Sequence, residues 1–222
     1  MFSFEYIIVS LMLLKGISMN TVSFHNTLVT PSKIVCIGRN YAAHVHELGN
    51  EIPDEMVIFV KPNSAIGNVL SAAHRGEELH YESEIAYLYQ GGGFVAAAFG
   101  LDLTKRGVQS KLKAKSLPWE RSKAFDGSAV FSEFVPLPDR DVLLGLTLHI
   151  DGGLVQQGDT ALMMYQPELI LQEIQTFMRL EDGDIVMTGT PAGVGKIRQG
   201  TEFVGCLVCD GQELVSQRWL VE

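Results

Sequence analysis

Two apolar runs, Ile85 to Tyr89 and Phe94 to Phe99, flank Gly91-Gly92-Gly93, and this pattern calls for a β-hairpin whose open end carries three acids. Three-residue loops containing glycine close hairpins readily. Alternate side chains of a strand share a face, so Glu82 and Glu84 point the same way. With residue 90 opposite residue 94, the register carried back along the strands sets Asp102 across from Glu82 and diagonal to Glu84. Three carboxylates then converge, and their repulsion is relieved by raised pKa values or by a hard divalent ion. Ligation by oxygen alone favours magnesium, manganese or calcium over zinc. The expected ion is magnesium or manganese. A lone Glu-x-Glu on a wet strand face would mean little; the rest of the chain gives this one its weight.

The chain has 222 residues, enough for one domain with a full core. Its net charge of -9 includes no basic run, so a phosphate polymer would be repelled and nucleic acid is not an expected partner. Cys36, Cys206 and Cys209 make an odd set in a chain too large to depend on disulfides, which points to the reducing cytoplasm. Cys206 and Cys209 form a C-x-x-C, but on a strand positions three apart face opposite sides, so a packed strand is the better reading. Ile7 to Leu14 is apolar apart from Ser10, yet is too short to span a bilayer, and Glu5 stands where a secretory signal would be basic. No membrane role is expected. Composition changes at Met19, so residues 1–18 read as an extension and residues 19–222 as a single catalytic domain.

No repeat or linker divides that domain. Strands with turn punctuation are expected at Lys33 to Ile37, Val57 to Val60, Glu82 to Tyr89, Phe94 to Leu103, Val142 to Ile150, Ile185 to Met187, Glu202 to Val208 and Leu214 to Leu220. Helical pattern is sparse. Asn40 can cap a short helix from Tyr41 to Leu48 ended by Gly49. Pro167 starts a longer helix with Leu169, Ile170, Ile174, Phe177 and Met178 on an apolar stripe. The expected fold is mixed α/β and β-rich, because strands do not alternate regularly with helices.

His44 and Glu47 lie three apart in the short helix, within reach of each other. A carboxylate beside an imidazole sets its tautomer and raises its basicity, as a general base requires. His46 faces elsewhere. Lys111, Lys113 and Lys115 look like a solvated face, whereas Lys123, next to Ala124 and Phe125, is better placed to meet a substrate carboxylate. In Thr188 to Gly195 the glycines allow close backbone approach, and hydroxyl and N–H groups can hold an anion.

Gly38-Arg39-Asn40-Tyr41 with His44 and Glu47, Phe59-Val60-Lys61-Pro62, Glu82-Ser83-Glu84, Leu101-Asp102-Leu103-Thr104, Leu117-Pro118-Trp119 with Lys123 and Phe125, and Thr188-Gly189-Thr190-Pro191 follow one another in an order that resembles the fumarylacetoacetate hydrolase family, from about Ile34 to Glu222. It is most similar to the compact branch of acylpyruvate hydrolases, isomerases and decarboxylases. The resemblance implies rolled β-sheets with few short helices, a homodimer, and magnesium or manganese on Glu82, Glu84 and Asp102. It implies His44 and Glu47 as a water-activating pair on a segment that closes over substrate, a catalytic Lys123, and Arg39, Gln109 and Thr190 near a bound 2-oxo acid. The implied reaction is C–C bond hydrolysis of acylpyruvates of the fumarylpyruvate or acetylpyruvate class. Isomerisation, hydration or decarboxylation of 2-oxo diacids such as oxaloacetate is the alternative, and a silent protein of the same fold the minor one. Two departures stand out: the segment between Glu84 and Asp102 is shortened, which trims a loop and widens the site, and Gly107 replaces the acid after Arg106, which leaves Arg106 and Gln109 without that support.

Overall fold

Residues 19–47, 49, 51, 53–138 and 142–222 are described by a computed structural model; the extension expected over residues 1–18 lies outside them. Among the described residues the strands build two main sheets and three two-stranded ones, and the central strands of the first are buried on both faces. That sheet follows the order Ala129–Phe131, Gly93–Asp102, Ser83–Gln90, Ile185–Met187, Lys33–Gly38, Val57–Pro62, with Val135–Pro136 also on Gly93–Asp102. The other main sheet is an antiparallel set of four, Gly153–Asp159, Leu144–Ile150, Glu202–Cys209 and Gln212–Leu220. The fold is β-rich with a curled half-barrel sheet and four short helices among the described residues, Ala42–Glu47, Arg106–Lys113, Glu120–Lys123 and Pro167–Phe177.

The hairpin forms as expected, with a different turn. Only Gly91 and Gly92 make the bend, both at positive φ (61° and 96°), and Gly93 pairs with Gln90. That two-residue closure suits the twist of the strands. It would move the register by one residue, but a bulge between Leu88 and Tyr89 leaves Val95 unpaired and moves it back. Glu84 therefore pairs with Gly100, and Asp102 N donates to Glu82 O at 2.8 Å. The expected alignment of the acids is reached through a shorter turn and a compensating bulge. Because the shortened tip lies at the far end of the hairpin from the acids, it does not widen the site.

Most neighbours in the first sheet are antiparallel; the exception is Ile185–Met187, which runs parallel to Lys33–Gly38. Asp184 aligns the starts of these two strands. Its buried carboxylate accepts from Ser32 N at 2.9 Å, Lys33 N at 3.1 Å and Glu181 N at 2.9 Å, and it pairs with Lys33 Nζ. The parallel alignment sends both chains out of the sheet at the same edge, where ligand-binding loops of such sheets gather.

Between the sheets lies the main core, where Ile85, Phe99 and Leu101 meet Leu146, Phe203 and Leu207. Packing is tight at Gly205: an added Cβ would stand 2.2 Å from the Phe99 ring. Helix Pro167–Phe177 covers Val35, Ile37 and Val186 with Ile170 and Ile174. Its buried stripe is narrower than expected, since Leu169 and Phe177 are exposed. Asn40 is not used as a helix cap; its amide donates to Thr188 O and Tyr165 O, and its Oδ1 accepts from Tyr165 N. Helix Arg106–Lys113 and strand Gly153–Asp159 carry too few apolar residues to declare themselves by periodicity. Cys206 and Cys209 take opposite faces of their strand, and all three cysteines are free. Among the described residues no helix is long and apolar enough to cross a membrane.

A methyl group forced against Phe99 has nowhere to go, and overpacking of this kind costs about 1–3 kcal/mol. Gly205→Ala is expected to lower the thermal unfolding midpoint by roughly 5 °C, for a chain of this size, by calorimetry. An unchanged midpoint would show that the two sheets are not packed this closely.

Candidate active site and metal centre

Strands Lys33–Gly38, Val57–Pro62, Ser83–Gln90 and Gly93–Asp102 and helices Ala42–Glu47, Arg106–Lys113 and Glu120–Lys123 all line one cavity at the edge where the parallel strands leave the sheet. Glu82 and Glu84 lie on the face opposite Ser83, whose N and Oγ both bond Gln156 Oε1 beneath the site. With Asp102 they form a fully buried group of acids whose ligand oxygens all lie within 4.8 Å of one another. Burial is possible because cations answer them. Lys123 Nζ donates to Glu82 Oε2 at 2.8 Å, Asp102 Oδ2 at 2.6 Å and Thr104 Oγ1 at 2.6 Å. Arg106 pairs with the other Glu82 oxygen. Lys61, fully buried, stands 2.8 Å from Asp102 Oδ1 and donates to Lys123 O, Ser128 O and Ser128 Oγ.

The charges are distributed unevenly. Burial would raise Glu82, but Lys123 and Arg106 overcome it and hold that carboxyl well below the usual range. Glu84 has no such partner: burial, then Asp102 and Glu82, push it well up. The same acids outweigh the effect of burial on Lys123 and keep its ammonium charged beyond the ordinary lysine range.

Gly189 N donates to Glu84 Oε2 at 2.7 Å. Gly189 sits at φ 96°, and an added Cβ would come within 2.8 Å of Asn40 Cβ, so this approach requires glycine. Further along, Gly193 N donates to Glu47 at 3.0 Å and 3.2 Å, and Glu47 Oε2 is 3.2 Å from His44 Nδ1. The anions held by the Thr188 to Gly195 loop are thus two of the chain's own carboxylates. His44 is buried while His46 is exposed, as the helix spacing predicts. Burial lowers the His44 pKa, with Glu82 and Glu47 offsetting part of the effect, so the imidazole is neutral at pH 7.

Arg39, Gln109 and Thr190 line the same cavity as the triad, His44 and Lys123. Every site residue expected from the sequence except Glu47 lines it, and Glu47 touches it through His44. Gly107 removes no support, because Arg106 bonds Gln109 Oε1 at 2.8 Å as well as Glu82. Lys123 meets the acids of the triad rather than standing free. Three residues escaped the sequence reading as parts of the site. Lys61 sits in a strand and carries no local signal beyond a charge within an apolar run. Gln156 links Ser83 to Thr190 Oγ1 and Pro191 O, each at 2.9 Å, from a strand that periodicity missed. Lys113 was assigned to a solvated face; Lys111 and Lys115 are exposed, but Lys113 is half-buried and lines the cavity. The free space among these side chains is about 30 Å³, room for about two waters.

The acids suit a hard divalent cation. Asp102 Oδ1 is buried with only the Lys61 ammonium beside it, Glu84 lacks a cationic partner, and all-oxygen donors match Mg2+ or Mn2+.

Residues 33–91 and 93–216 match the family model described as fumarylacetoacetate (FAA) hydrolase C-terminal. Oxaloacetate tautomerase YcgM of Escherichia coli (strain K12) is 34% identical over 203 residues, covering 84% of this chain and 92% of that protein. Mitochondrial oxaloacetate tautomerase FAHD1 of Bos taurus is 38% identical over 187 residues, covering 77% of this chain and 84% of that protein. The crystal structure of fumarylpyruvate hydrolase from Pseudomonas aeruginosa in complex with Mn2+ and pyruvate superposes with a TM-score of 0.81 at 29% identity, covering 94% of this chain and 99% of that one.

A group whose folded-state pKa is raised contributes stability that is lost as pH rises through that value. Holding Glu84 buried beside Asp102 and Glu82 therefore costs the metal-free protein stability at neutral pH, and a bound cation offsets that cost. Glu84→Gln is expected to raise the unfolding midpoint of metal-free protein at pH 7 while weakening Mn2+ binding by about tenfold or more in calorimetry. A variant that binds Mn2+ like the wild type would remove Glu84 from the ligand set.

Proposed function

This chain belongs to the fumarylacetoacetate hydrolase family, and on that footing we propose that it is a magnesium- or manganese-dependent enzyme acting on 2-oxo acids, with the keto–enol chemistry of oxaloacetate as its reaction. The observation that carries the reading is Lys123 Nζ between Glu82 and Asp102, with neutral His44 in the same cavity. Glu82, Glu84 and Asp102 hold the ion. When bound, the ion supplies Lewis-acid stabilisation of the negative charge that builds on the 2-oxo oxygen as an enolate forms.

Lys123, kept charged by its carboxylate partners, adds a fixed positive potential where that charge develops. Arg39, Gln109 and Thr190 bind and orient the substrate carboxylate. Glu47 accepts from His44 Nδ1–H, which selects the tautomer with a bare Nε2. His44 Nε2 then takes the proton from C3 of the keto form, or returns it to C3 of the enol, and the hydroxyl proton exchanges with solvent. The likeness to the two tautomerases favours this reading over the acylpyruvate hydrolysis expected from the sequence.

Hydrolysis of acylpyruvates is the second reading. It is favoured by the His44–Glu47 pair, which is equally suited to deprotonating water, and by the likeness to the Pseudomonas fumarylpyruvate hydrolase. The two readings part on products: oxaloacetate enol is lost without pyruvate in the first, and acetylpyruvate yields pyruvate and acetate in the second. A reducing cytoplasm and a homodimer belong to the same proposal, the first on the free cysteines.

With purified enzyme and Mg2+, ultraviolet absorbance is expected to report accelerated ketonisation of oxaloacetate enol. His44→Ala should bind Mn2+ as the wild type does and lose about 10²–10⁴ in rate. A variant that ketonises at the wild-type rate would sink the assignment of His44. Because the base form is required and burial lowers the pKa, the rate should hold through neutral pH and fall only below the ordinary histidine range, about 6.5. A decline that begins above pH 7 would place another group in that role.

A further inference from the structure

We propose that Lys113, resting on Trp119 at the wall of the same cavity, forms an anion subsite that takes the far carboxylate of a 2-oxo diacid. The inference rests on the 2-oxo acid reading of the same cavity and assigns the residue that meets the second carboxylate.

Arg106, Gln109 and Lys113 stand at positions i, i+3 and i+7 of one helix, so they share a face, and all three line the cavity. Arg106 is answered by Glu82 and Gln109, Lys123 by Glu82 and Asp102, and Lys61 by Asp102. Lys113 differs: among the described residues no carboxylate lies within ion-pair distance of it, and its Nζ stands 5.0 Å from the centre of the Trp119 ring. Burial, then Arg39 and Arg106, push its ammonium down to about 8. Lys113 is thus a half-buried ammonium with an aromatic face and no carboxylate beside it, an arrangement that an anion relieves.

The spacing adds direction. At 1.5 Å per residue, Lys113 lies about 10 Å along the helix from Arg106, so the cationic face runs away from the triad. Phe59 and Trp119, 5.9 Å apart, line the stretch together with Val45 and Ile37. One end of the cavity therefore binds a metal-chelating 2-oxo carboxylate, the middle is apolar, and the far wall is positive. A molecule charged at both ends and carbon between matches that order.

The test compares matched ligands on Mn2+-loaded protein by calorimetry: oxaloacetate against 2-oxobutyrate, and 2-oxoglutarate against 2-oxopentanoate, pairs that differ by a carboxylate in place of a methyl group. Wild type is expected to prefer the diacid of at least one pair. Lys113→Met, which keeps the stem on Trp119, should lower that preference by about tenfold or more, with Mn2+ and monoacid affinity unchanged, and Lys113→Arg should restore much of it. Equal affinity within both pairs, or a preference that survives in Lys113→Met, overturns the subsite while monoacid binding leaves the 2-oxo acid reading intact. Failure of every 2-oxo acid to bind Mn2+-loaded wild type overturns both.

Discussion

The site depends on a balance between three buried acids and three buried or half-buried cations. Glu82, Glu84 and Asp102 approach within ligand distance of one another only because Lys61, Lys123 and Arg106 surround them. The balance is incomplete on one side. Glu84 is met by a backbone N–H from Gly189 and by no cation, so the group as a whole retains an appetite for a divalent ion. Metal affinity here comes from uneven pairing: three cations face three acids, but Glu82 and Asp102 each take two of the contacts and Glu84 takes none.

The same balance ties distant parts of the chain into one unit. The loop after Ile185–Met187 bonds Glu84 through Gly189 and Glu47 through Gly193, so it touches the metal acids and the histidine helix at once. Gln156 fastens that loop from below to Ser83, between the two glutamates. One loop therefore holds both the histidine helix and a metal ligand in place. The parallel pair of strands, aligned by Asp184, is what brings these two loops out at one edge.

Much of the site was legible in one dimension where chemistry and local geometry coincide. Glu82 and Glu84 follow from strand alternation, Asp102 from hairpin register, and His44 with Glu47 from helical spacing. The register came out correctly even though the turn did not, because the bulge at Val95 restores what the shorter Gly91-Gly92 turn displaces. Lys113 was misread for a physical reason: in a run of alternating lysines nothing local distinguishes the one that a neighbouring Trp119 and cavity draw inward. Lys61 and Gln156 were missed because their roles exist only through partners far along the chain, Asp102 for one and Ser83 with Thr190 for the other.

Residue order by itself determined the β-rich class, the convergence of three carboxylates and the preference for a hard oxygen-loving ion, since each rests on short-range periodicity and on the donor atoms themselves. Tertiary structure alone decided which cations compensate those carboxylates, which one they leave uncompensated, and that the glycine loop binds the chain's own acids. Burial and long-range contact set those outcomes, and neither is a property of any stretch of chain shorter than the folded whole.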